Sequence, residues 1–170
     1  MLDFALFLSR SLSLKEIDFL VEEIYVAPPR IDELLDLLDH ENSQLAWHAA
    51  WVLQKVFRKY PEFFSEKILK RLTEKAISAN TEGMRRLTLS IVSFADLPDE
   101  IPVSLVNSCF EWMLSVKTSI AVKALSIHYL HRICKQEPDM LPELQLSVIQ
   151  LLETTDTAAI RSVAKKVLKD

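Results

Sequence analysis

The chain has 170 residues and only one glycine, Gly83. This scarcity limits its possible folds more than any other feature. Average proteins contain about 7 % glycine, since tight hairpin turns and phosphate-binding loops need residues that adopt positive φ or lack a side chain. Dinucleotide-binding fingerprints and nucleophile elbows likewise need several glycines at fixed spacing. The sequence therefore predicts an all-α fold and excludes those glycine-dependent chemistries.

Apolar residues recur with a helical period between the seven prolines. Residues 31–38 place four apolar side chains on one helix face, and residues 68–76, 105–113 and 141–152 do the same. Each stripe precedes a short polar break and a second helix. The hydroxyl residues expected to cap these second helices are Ser43, Thr81, Thr118 and Thr157, at intervals of 38, 37 and 39 residues.

Two helices per unit at this period predict an α-solenoid, in which each repeat packs on its neighbours. In the aligned second helices, nine residues should be buried between helices, and the alanines should mark the closest approaches. They are Ala49, Ala50, Leu53, Leu87, Ile91, Ala124, Leu125, Val163 and Ala164.

The small residues of the second helices, as in Ala46-Trp47-His48-Ala49-Ala50, resemble those of the HEAT-like and armadillo-type repeat families. The resemblance covers about residues 30–170. It implies a right-handed α-α superhelix of about four helix pairs, within one domain spanning residues 1–170. The expected pairs are 30–62, 63–99, 100–138 and 139–170, after N-terminal capping helices in residues 1–29. Within that cap, Ser13 is expected to begin a helix over residues 14–26.

Cysteine content and the N-terminus indicate the compartment. Two cysteines, Cys109 and Cys134, are too few for a disulfide framework. The apolar stretch 4–8 is short, and Asp3 lies where a signal peptide carries a basic residue. No stretch approaches the length of a membrane span. We therefore expect a cytoplasmic protein that does not enter a membrane.

Charge is distributed unevenly along the chain. Residues 1–54 hold three basic and ten acidic residues, residues 55–86 nine and four, and residues 87–170 eight and ten. We call residues 55–86 the basic belt. It is either a set of solvated helix faces or a patch for an acidic partner, such as a phosphate backbone or a protein.

Two tryptophans, Trp47 and Trp51, lie one helical turn apart, and their counterparts in the other repeats are mostly polar. Either the N-terminal helices cover the indoles, or the indoles form a platform for a partner's side chain or a stacked base. The candidate partner-binding surface consists of Trp47, His48, Trp51, Arg58, Arg85, Arg86 and Lys123.

No catalytic, cofactor-binding or metal-binding constellation is expected. His128 and His131 have a spacing that can share a metal, but Cys134 lies too far along the helix, which favours partly buried histidines. The sequence therefore predicts a non-catalytic scaffold or adaptor for another protein. Its oligomeric state is not predicted.

One alternative follows from the family resemblance. A HEAT-like branch, the DNA alkylation repair family of alkylbase glycosylases, holds a duplex in a basic groove beside aromatic residues. A nucleic-acid-binding protein of that kind would use the basic belt. Its nearest equivalents here are Trp47, Trp51, Arg85, Arg86 and Lys123.

Overall fold

The computed structural model describes residues 2–170, and every regular element in this range is a helix. The predicted all-α fold is therefore confirmed. No helix within residues 2–170 is long and apolar enough to cross a membrane. The chain divides into two compact units, Met1–Ala95 and Asp96–Asp170, with the boundary at the end of the predicted second repeat. A single domain over the whole chain stays a prediction.

Over residues 2–95, unit 1 contains six α-helices, joined by single turns of 3₁₀-helix and short loops. They are α1 (Phe4–Leu8), α2 (Leu14–Val26), α3 (Ile31–Asp36), α4 (Ser43–Lys59), α5 (Glu66–Ser78) and α6 (Glu82–Val92).

Side-chain caps define where these helices begin. Ser13 and Glu16 form a reciprocal capping box at the start of α2, so the predicted helix over residues 14–26 is confirmed. The Asn42 side chain accepts hydrogen bonds from two backbone amides at the start of α4. Pro28 and Pro61 begin 3₁₀ turns after α2 and α4, because a proline ring does not allow a helix to continue.

Successive second helices of unit 1 run parallel and in register. Trp47 of α4 packs on Gly83 of α6, and Gln54 Nε2 donates to Ser90 Oγ at 2.7 Å. Both contacts join residues 36 positions apart, so the contact advances equally along the two helices. The small buried residues between helices confirm the predicted packing, with Ala49, Ala50, Leu53, Leu87 and Ile91 at most 1 % exposed.

Unit 2 contains four α-helices. They are α7 (Val103–Leu114), α8 (Ile120–Cys134), α9 (Leu141–Thr154) and α10 (Ala158–Val167). α7 packs against α8 and α9, and α10 packs against the same two helices. Ala164 is buried as predicted, whereas Ala124, Leu125 and Val163 are only half-buried.

The expected caps of two second helices were wrong by one residue. The caps are Asn42, Thr81, Ser119 and Thr157, which lie 39, 38 and 38 residues apart. Asn42-Ser43 and Thr118-Ser119 each offer two adjacent residues able to cap, and the geometry of the preceding turn selects between them.

The corrected register explains much of the burial pattern. Seven positions after the true caps lie Ala49, Thr88, Ser126 and Ala164, all small and at most 2 % exposed. Ala124 and Leu125 lie five and six positions after Ser119, so they miss this inner position and their predicted burial was wrong. In the third repeat, Ser126 occupies this buried position.

Candidate partner-binding surface

A line of aromatic and basic side chains follows one face of α4. Trp47, Trp51, Lys55 and Arg58 are spaced by one or two helical turns, so they share that face. The two indole centroids lie 5.3 Å apart, with the ring planes inclined by 43°. Both indoles are half-buried, and Arg58 is exposed. We call these four residues, together with the half-buried Arg86 of α6, the tryptophan ridge.

Trp47 is positioned by the only glycine in the chain. A Cβ atom on Gly83 would lie 3.2 Å from Trp47 Nε1 and 3.4 Å from its Cδ1. The absent side chain therefore lets the indole pack closely on α6 while part of the ring stays accessible. Both indoles are thus partly covered. This is intermediate between the two arrangements considered from the sequence, full cover by the N-terminal helices and an exposed platform. Sequence reasoning missed the role of Gly83, although its distance of 36 residues from Trp47 is close to the repeat period.

His48 does not lie on the surface, and its predicted position there was wrong. It is 5 % exposed, and its Nδ1 lies 2.8 Å from the carbonyl oxygen of Leu8, the last residue of α1. A carbonyl only accepts, so Nδ1 carries the hydrogen and donates it. The last carbonyls of a helix have no partner within that helix, and His48 supplies one as α1 packs on α4.

Lys123 of unit 2 is also buried, and its predicted surface position was wrong. The side chain is 5 % exposed, and Nζ donates to the carbonyl oxygen of Met113 at 3.2 Å, near the end of α7. Desolvation lowers the pKa of Lys123. A cation near a helix C-terminus also interacts favourably with the helix dipole. Lys123 therefore holds α7 and α8 together instead of presenting a charge to a partner.

Arg85 has the same role in unit 1. Its Nη2 donates to the carbonyl oxygen of Ala79, just after α5, at 2.7 Å, and its Nη1 pairs with Glu82 Oε1 at 2.5 Å. Arg85 and Lys123 each lie four residues after the true cap of their helix. Two of the four second helices therefore place a structural cation at this position, which Ala46 occupies in α4.

Acidic side chains within unit 1 neutralise much of the basic belt. Arg71 pairs with Asp36 at 2.6 Å and with Asp32 at 3.6 Å, and Lys75 pairs with Asp39 at 2.7 Å. Lys59 of α4 pairs with Glu22 of α2. Within residues 2–170, the belt cations without an ion pair are Lys55, Arg58, Lys67, Lys70 and Arg86.

The two histidines of α8 have different surroundings. Burial, assisted by nearby cations including Arg132, lowers the pKa of His128. His131 Nε2 lies 2.7 Å from Asp170 Oδ2, and Cys134 is buried as a free thiol. Among residues 2–170, no three His, Cys, Asp or Glu side chains lie close enough together to hold a metal ion.

Helices that recur at about 38 residues and bury small side chains against their neighbours define an all-helical repeat protein. The family model for the HEAT repeat domain matches residues 4–170. The chain belongs to the HEAT repeat family, as the sequence resemblance predicted. No curated protein and no solved structure matches the chain.

Proposed function

We propose that this protein is a non-catalytic scaffold or adaptor that binds another protein through the tryptophan ridge. The helix pairs of both units would form a right-handed superhelix of four repeats. Solenoids of this kind bind partners along extended surfaces. The main support is the pair of half-buried indoles, Trp47 and Trp51, of which Trp47 packs on Gly83, on helices whose ridge cations have no ion pair within residues 2–170.

The chemistry of the ridge suits a protein interface. Tryptophan and arginine are the residues most enriched among interface hot spots. The close packing of Trp47 on Gly83 also restricts the indole before a partner arrives, which reduces the entropy lost on binding.

The cysteine environments support a non-catalytic role in a reducing, cytoplasmic compartment. Burial raises the pKa of the Cys109 thiol to about 12, and burial also raises the pKa of Cys134. Both thiols are therefore protonated at neutral pH and are poor nucleophiles. Both are free cysteines.

Nucleic-acid binding has less support. Arg85 and Lys123 donate to backbone carbonyls, and Lys59, Arg71 and Lys75 are paired with carboxylates. A protein whose duplex binding depends steeply on salt makes about 6–10 phosphate contacts. The tryptophan ridge offers three cations, Lys55, Arg58 and Arg86.

Site-specific photo-crosslinking tests this function. We would replace Trp51 by p-benzoylphenylalanine in the full chain and irradiate the producing cells, with Leu146 as the control position because it is 69 % exposed on α9. We expect a protein adduct at position 51, sensitive to protease, that is absent at position 146. A nuclease-sensitive adduct, or equal labelling at both positions, would contradict the proposal.

A further inference from the structure

We infer that the ridge takes an acidic segment of its partner, in which an aromatic or aliphatic side chain contacts the indoles and carboxylates contact the cations. This inference rests on the proposed function, since it names the chemistry of the partner at the same surface.

The charge content of α4 and α6 carries the first step. α4 contains three cations, Lys55, Arg58 and Lys59, and no carboxylate. The only carboxylate of α6 is Glu82, which is paired with Arg85. Lys59 is paired with Glu22 of α2. The ridge cations Lys55, Arg58 and Arg86 have no ion pair within residues 2–170, so they remain available for a partner. A surface of this charge favours carboxylates through complementary electrostatics.

The neighbouring surface of α3 and α5 is different and argues against an extended polyanion. α3 carries three acidic residues within its six positions, and Asp36 forms an ion pair with Arg71 of α5. The side chains of Asp32 and Asp36 are 60 % and 71 % exposed. A phosphate backbone long enough to reach α3 would meet these exposed carboxylates, whereas a short peptide with a few carboxylates would not have to extend that far.

The order of residues along α4 sets the order within the partner segment. The indoles of Trp47 and Trp51 precede Lys55 and Arg58 on the same face. At a rise of about 1.5 Å per residue, the ridge extends about 16 Å from Trp47 to Arg58. An extended peptide of about five residues has the same length. We therefore expect one apolar anchor at one end of a short segment and carboxylates for Lys55 and Arg58 towards the other, while Arg86 is level with the indoles in the register of 36 residues.

A peptide selection on the immobilised full chain tests this chemistry. Peptides from a random 12-residue display library, which is long enough to cover the ridge with residues to spare on either side, would be selected and synthesised without tryptophan. Binding would be followed by tryptophan emission in a Trp112→Phe background, which leaves Trp47 and Trp51 as the only indoles. We expect selected peptides with Asp or Glu grouped on one side of a Leu or Phe residue.

Charge reversal provides the matched comparison. Arg58→Glu combined with Arg86→Glu should weaken binding of the selected acidic peptides by about tenfold or more. Lys67→Glu combined with Lys70→Glu makes the same charge change on exposed positions of α5 and should alter affinity by less than about twofold. Melting curves by circular dichroism would check the fold, and Gln replacements at positions 58 and 86 would serve if the Glu variant unfolds.

Failure of the acidic-partner inference and failure of the proposed function give different results. Selected peptides that are neutral or basic but still need Trp51 would overturn the acidic partner and leave the proposed function standing. Single-stranded DNA that binds more tightly than the peptides, with the same change in tryptophan emission, would also overturn it in favour of a nucleic acid. If no selected peptide depends on Trp47 or Trp51, both the inference and the proposed function fail.

Discussion

Within unit 1, the surface formed by α3 and α5 differs from that formed by α4 and α6. On α3 and α5, the ion pair between Arg71 and Asp36 satisfies charges within the chain. On α4 and α6, Arg58 and Arg86 have no ion pair within residues 2–170. α4 carries both indoles, and α6 carries Gly83, on which Trp47 packs. The ion pairs of Arg71 and Lys75 join α5 to the preceding repeat, whereas Arg58 and Arg86 of the second helices are left unpaired within the described residues.

The contrast shows that net charge along the sequence is a poor guide to a binding surface. Residues 55–86 have a surplus of basic residues, but Arg71 and Lys75 are neutralised by acidic residues of the preceding repeat. Ion pairs within the chain, and not the local count of basic residues, decide which of these cations can reach a partner.

Removing an indole from α4 should have the largest effect on partner binding by this surface. We expect Trp51→Ala to weaken binding of the selected peptides by about thirtyfold or more, the effect of a hot-spot residue worth about 2 kcal/mol. Its cost in unfolding free energy should stay below the about 3–5 kcal/mol of a fully buried tryptophan, because Trp51 is half-buried. Peptide titration and urea unfolding measure the two effects. A cost in that upper range with unchanged affinity would make Trp51 a core residue.

The next largest effect is expected at Lys123, where unit 2 uses a cation of a second helix for structure. Lys123→Ala removes the donor to the Met113 carbonyl and should cost about 1–3 kcal/mol of unfolding free energy. An unchanged stability would show that water replaces this bond at no cost.

The same lysine should give a pH signature. Since the folded-state pKa of Lys123 is lowered, the unfolded chain holds this proton over an alkaline range where the folded chain has released it. Wild-type stability should therefore rise relative to Lys123→Met as the pH increases from the folded-state pKa towards about 10.4. Urea unfolding of both proteins between neutral and alkaline pH would reveal the difference, and parallel curves would contradict it.

A smaller effect is expected from filling the space under Trp47. Gly83→Val should displace the indole and cost about 1 kcal/mol, because overpacking forces side chains from their preferred positions. Gly83→Ala should be nearly neutral, since its gain in helix propensity of about 0.5–1 kcal/mol offsets a contact at 3.2 Å. Tryptophan emission in the Trp112→Phe background would report the displacement. Identical emission in both variants would contradict the role of Gly83.

The ion pair between first helices should give the smallest effect. A double-mutant cycle with Asp36→Asn and Arg71→Gln should give a coupling of about 0.2–1 kcal/mol, decreasing with added salt, because both side chains are partly exposed. Peptide affinity should not change in these variants. If it does, the two surfaces of unit 1 are energetically linked and the contrast between them is weaker than described.

Much of this fold could be predicted from periodicity and from the lack of glycine. The helix periods, the start of α2 at Ser13 and the burial of residues such as Ala49 follow from local sequence. The register of two second helices could not be predicted, because adjacent residues such as Thr118 and Ser119 are chemically equivalent caps. Which of them caps the helix depends on where the previous helix ends and on the conformation of the loop that follows it.

The candidate surface was predicted less completely. In the register set by the true caps, the counterparts of Trp47 and Trp51 are half-buried or exposed, as at Arg86 and Ser90, which agrees with the incomplete burial of the indoles. No sequence pattern indicated that His48 and Lys123 are buried, because their hydrogen-bond acceptors are backbone carbonyls 40 and 10 residues away. A carbonyl is present at every position, so the sequence does not reveal which one will come within reach.

The use of carbonyl acceptors has a consequence for sequence drift in this protein. His48, Arg85 and Lys123 each donate to the main chain at or just beyond the end of an earlier helix, at Leu8, Ala79 and Met113. Because the acceptor atom is common to all amino acids, the bond itself places no demand on the side chain at the acceptor position. Substitutions at the helix ends can then accumulate as packing allows, whereas the donor positions should accept only residues that can donate a hydrogen bond over the same distance.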